Sequence, residues 1–121
     1  MKKENKIINS CLGCKALIWV VSPTSNGTWI KVCVYGYEFE VRINDTACND
    51  AINAGRVTHL IATDTYFTED NAFQTDIAHY NGKWLTRPRR KKEQAIIGDF
   101  VTRLEKLPTH EAFEPKHKQT A

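Results

Sequence analysis

No apolar run in this 121-residue chain approaches the ~20 residues that a membrane-spanning helix requires. The longest near the N-terminus runs only from Ala16 to Val21, and the surrounding stretch MKKENKIINSCLGCKALIWVVSP lacks a small-residue cleavage site. A signal peptide is therefore not expected. A lipoprotein box ending at Cys14 is not expected either, because the polar ENKIINS stands where its apolar segment would have to be. With no export signal expected, the four cysteines, Cys11, Cys14, Cys33 and Cys48, are expected as thiols in a reducing cytoplasm.

Catalytic signatures are missing as well. A zinc ribbon needs a second close pair beside Cys11-x-x-Cys14, but Cys33 and Cys48 stand fifteen positions apart. A thioredoxin-type motif follows a strand and opens a helix, whereas this pair precedes a strand. His59, His79, His110 and His117 show no i, i+4 metal-binding spacing. Neither a phosphate loop nor a nucleophile elbow is present. The expectation is a protein with no cofactor, no bound metal and no catalysis. The rival is a small Cys/His-dependent enzyme, which would draw on His59 or His79 with Cys33 and Asp64.

What is there points to a folded domain. The chain is 41% hydrophobic with twelve aromatic residues, enough for one core. A single domain is expected over residues 12–110, between flexible segments at 1–11 and 111–121. The clearest local signal is TWIKVCVYGYEFEVRI, where Tyr35-Gly36 can close a two-residue hairpin. Counting outward sets Val34 opposite Tyr37, Val32 opposite Phe39, Ile30 opposite Val41 and Thr28 opposite Ile43, so one face is almost wholly apolar. The other face sets Lys31 against Glu40 and Trp29 against Arg42, an ion pair and a cation over an indole.

ALIWVV, apolar on both faces, reads as a central strand that joins the hairpin through the Asn26-Gly27 turn. After it, NDTACNDAINAGR suggests a short helix capped by Asp45 or Thr46 and stopped at Gly55. RVTHLIAT and DIAHY read as a fourth and a weaker fifth strand, separated by a long acidic loop from Asp64 to Asp76. A C-terminal helix is expected over about 89–107, where Ile96, Ile97, Phe100, Val101, Leu104 and Leu107 recur at helical spacing. The fold class is α+β: an antiparallel sheet of four to five strands, a short helix after strand 3, and the C-terminal helix packed on one face.

Charge is distributed unevenly. Residues 1–86 carry eight cations and nine anions, whereas residues 87–121 carry nine and five. Arg87, Arg89, Arg90, Lys91 and Lys92 fall within six positions at the start of the last helix, where the helix dipole prefers a negative group. Together with Arg56 and the aromatic Tyr80 and Trp84, they form the candidate partner-binding set, and phosphate is a natural occupant for amides and cations converging there. Arg56 is better read as a structural partner of Asp45 or Asp50.

Trp29, the Gly36-Tyr37-x-Phe39 stretch, Gly55-Arg56-Val57 and Trp84 together resemble a pattern in small uncharacterised domains carried by bacteriophages and plasmids. The resemblance covers about residues 28–106 and implies an accessory factor of a mobile element. The functional expectation is a non-catalytic cytoplasmic binding protein that contacts an anionic partner, nucleic acid or an acidic protein surface, and no membrane. The alternative is an inhibitor of a host factor that docks through the exposed sheet face or the acidic loop. Oligomeric state stays open, a homodimer among the options.

Overall fold

In a computed structural model the described residues are 3–67 and 69–114; side chains are described for 5–65 and 69–114. The chain is α+β. Six strands, β1 (Leu17–Thr24), β2 (Gly27–Val34), β3 (Tyr37–Asn44), β4 (Val57–Phe67), β5 (Ala72–Asn81) and β6 (Trp84–Thr86), form one antiparallel meander in sequence order. Two helices, α1 (Lys3–Leu12) and α2 (Lys91–Leu104), flank it in sequence. The predicted hairpin register is present pair for pair, from Val34 opposite Tyr37 to Thr28 opposite Ile43. Its turn has positive φ at both central residues, 58° at Tyr35 and 84° at Gly36, matching the right-handed twist of the strands. Tyr35 is held there by its hydroxyl, which donates to the Leu12 carbonyl at 3.4 Å, and by an edge contact with Phe100.

The core lies on one face of the sheet. Ile30, Val32, Phe39, Val41, Leu60 and Ala62 point into it from β2, β3 and β4, and Ile97, Phe100, Val101 and Leu104 of α2 meet them. Phe39 and Phe100 stack with centroids 3.9 Å apart. Each such side chain stabilises the fold by roughly 1.5–3 kcal/mol on burial.

Several expectations are corrected. The sheet has six strands and not four to five, because the three-residue β6 is too short to show a pattern. ALIWVV is an edge strand and not a central one, so part of its apolar surface faces solvent. Residues 3–11, expected as part of a flexible segment, are helical and anchored: Ile8 and Leu12, one turn apart on α1, are 0% and 2% exposed, and the Cys11 thiol donates to the Arg103 carbonyl. The acidic loop is mostly strand, for Asp64 pairs with Thr75 and Thr65 with Gln74, giving β4 and β5 a two-stranded arm. The short helix is only a 3-10 turn at Ile52–Ala54. Its expected cap, Asp45, instead accepts from the His110 backbone N–H at 2.7 Å. At the other end, residues 110–113 make a 3-10 turn that buries Phe113, so ordered structure runs beyond 110. The rest of the expected C-terminal tail, residues 115–121 with His117, lies outside the described residues. No helix among the described residues is long and apolar enough to cross a membrane.

Candidate functional site

The cationic run leaves β6 and turns into α2 through Pro88. Arg90 is the N-cap residue with an extended backbone, and the Glu93 carboxylate reaches back to accept from the Arg90 N–H at 3.4 Å. Glu93 is 8% exposed. The dipole preference at this helix start is thus met from within the chain, by a carboxylate in the first turn. Gln94 ties down the preceding turn by donating to the Pro88 carbonyl at 3.1 Å.

The cations themselves point outward. Arg87, Arg89, Arg90, Lys91 and Lys92 are all exposed, and among the described residues none has a carboxylate within 4.0 Å of its side-chain charge. Arg87 lies over the Trp84 ring at 5.7 Å. It stands between two cavities. One, of about 460 Å³, opens between the β4–β5 arm and the helix start, with Arg87, Arg89 and Arg90 facing Asp64 and Asp76. The other, of about 320 Å³, lies beside Trp84 and Pro88 over Ile97 and Val101.

The remaining predicted site residues are placed differently. Tyr80 is 6% exposed, and its hydroxyl donates to the Asp50 carbonyl at 2.6 Å. Burial pushes its pKa up, and the ring meets Trp84 edge-on at 5.2 Å. Tyr80 therefore anchors the 45–55 segment and offers no free face for a base, while Trp84 is half-buried. The guanidinium of Arg56 reaches neither Asp45 nor Asp50. It donates to the carbonyls of Asn44 at 2.8 Å, Glu105 at 2.8 Å, Leu107 at 2.6 Å and Pro108 at 3.4 Å. Its backbone N–H meets both Glu105 oxygens, at 3.0 and 2.8 Å. A Cβ on Gly55 would come within 2.4 Å of that carboxylate, so glycine leaves room for the latch. Arg42 also departs from expectation: it pairs with Trp29 in register, but its guanidinium donates to Thr24 and Asn26 in the β1–β2 region.

The residues weighed for catalysis are dispersed. His59 and His79 meet edge-on at 5.7 Å, and His59 meets Trp29 at 5.0 Å on the outer sheet face. Burial and the charge of His79 lower the pKa of His59. Cys33 lies on β2 opposite Glu38, with β3 between it and the histidines, and Asp64 lies on the arm. Sequence spacing gave no sign of one cluster, Asp45 with His110 and Glu111, whose ligand atoms lie within 4.8 Å of one another. These donors are already engaged: Asp45 accepts from the His110 backbone and pairs with its ring, and Glu111 accepts from Thr109 at 2.6 Å. The residues concerned lie 65 positions apart, a distance at which no motif operates.

No family model, curated protein or solved structure matches this chain.

Proposed function

We propose that the protein is a non-catalytic binding factor that engages an anionic partner through Arg87, Arg89, Arg90, Lys91 and Lys92. The observation that carries this reading is the set of five exposed cations without a side-chain ion pair among the described residues, beside a helix start whose dipole is already satisfied by Glu93. They are not needed to stabilise the helix, and their mutual repulsion weakens it slightly. Among anions, an acidic protein surface suits the site better than nucleic acid. Tyr80 is turned inward, and Asp64 and Asp76 line the same cleft, where they would repel phosphate but pair with basic groups on a protein of mixed charge. The suggested provenance, an accessory factor of a mobile element acting on a host protein, accords with that preference.

Fluorescence anisotropy with labelled polyglutamate and with single- and double-stranded oligonucleotides, at low and moderate salt, tests the reading. Polyglutamate binding that weakens as salt rises supports it. Saturable oligonucleotide binding with polyglutamate ignored would move the partner class to nucleic acid. Absence of salt-sensitive binding to every probe at micromolar protein would overturn it.

A further inference from the structure

Among the described residues β1 stands at one end of the sheet with no strand beyond it, and the 110–113 turn packs against it. Such an edge is a template for pairing and is commonly protected by charge. Here no charged residue occurs between Lys15 and Lys31. Leu17, Trp19 and Val20 are 59%, 46% and 46% exposed, three of the five large exposed hydrophobic residues among those described. Beside them is a cleft of about 220 Å³ whose lining includes Val20, Trp29, Lys31 and Glu40. Lys31 and Glu40 sit opposite each other in register with no ion pair between them, and the Lys31 ammonium lies 5.7 Å from the Trp19 ring centroid.

We propose that β1 and this cleft form the contact of a homodimer, with a second copy of this chain as the occupant. A two-fold interface must be complementary to itself, and this patch carries both a projecting knob, Trp19, and a hole of apolar walls. It also carries both signs of charge, so a two-fold axis can bring Lys31 of one copy toward Glu40 of the other without opposing like charges. A foreign charged partner would be drawn to the cationic helix start or the acidic arm, not to an uncharged strand. The β-bulge between Ile18 and Val20 and the missing N–H of Pro23 shorten the available backbone ladder, so side-chain packing carries much of the contact.

Sedimentation velocity of the full chain across a concentration series reads the mass directly. The expected result is a concentration-dependent species of twice 13.8 kDa. Val20→Lys and Ser22→Lys, both at exposed positions of β1, should each raise the dimer dissociation constant at least ~10-fold with little change in melting temperature. Arg89→Gln, outside the patch, should leave it unchanged. A parent that stays monomeric at high micromolar concentration overturns the proposal, and so does a dimer indifferent to lysine at both positions in variants that melt like the parent.

Discussion

At the scale of single residues, Arg56 shows how a basic side chain can serve the fold. Its fork reaches four backbone carbonyls that close the end of α2 onto β3, a geometry that only a planar guanidinium with several donors can satisfy. Arg56→Ala should lower stability by about 2–3 kcal/mol, since three part-buried carbonyls lose charge-assisted partners. Arg56→Lys should recover only a minor part, because one ammonium cannot span them. Urea denaturation reads both variants, and a midpoint little changed in Arg56→Ala would contradict this role. The sequence showed Arg56 as a notable cation but could not show its partners, because backbone carbonyls leave no trace in residue identity. Asp45 was misread for a related reason. A helix cap and a long-range acceptor look alike until the His110 backbone arrives from 65 positions away.

At the scale of elements, legibility follows how local the determining interactions are. The β2–β3 hairpin was readable because its turn and both faces lie within one short stretch. Gly36, at φ 84° with open space around a built Cβ, isolates the backbone contribution. Gly36→Val should therefore cost about 1 kcal/mol or more, nearly all of it conformational. An unchanged urea midpoint would count against a type I′ turn in this register. The arm of β4 and β5 was not readable, because a two-stranded ribbon beyond the core need not alternate apolar and polar residues, and its Asp and Thr residues look like loop. The position of β1 at the edge was equally hidden, for strand order is a property of the whole sheet. α1 was missed because an otherwise polar segment commits only Ile8 and Leu12 fully to the core.

At the scale of the whole molecule, α1 and the 110–113 turn are both fastened to the same core, and one fastening titrates. His110 sits between Asp45 and Glu114, and its hydrogen bond to Asp45 holds its pKa above the ordinary value of 6.5. For Asp45 burial pushes upward, but hydrogen bonds from the His110 side chain and backbone outweigh it and leave the carboxyl below its ordinary 3.8. A raised histidine contributes stability that is present in full below 6.5 and is lost as pH climbs through its folded-state value. A lowered carboxyl contributes stability that is lost as pH falls below 3.8. The pair should thus stabilise most between these limits. Parent stability, compared with that of His110→Gln, should decline on going from about pH 5.5 to about pH 8, and a difference between the two that is independent of pH would refute the assignment.

The same scale holds the central claim, that the cations at the start of α2 serve a partner and not the fold. It separates two quantities that normally fall together, stability and binding. Replacing Arg89, Arg90, Lys91 and Lys92 by Gln removes like-charge repulsion and an unfavourable dipole contact, each worth about 0.3 kcal/mol. The decisive measurement is the anisotropy titration of labelled polyglutamate with this variant beside the parent at low salt, both proteins first shown by thermal melting to be folded. The account predicts that the variant melts at the parent's temperature or slightly above it and has lost the binding. Undiminished binding by a variant that melts like the parent would contradict it.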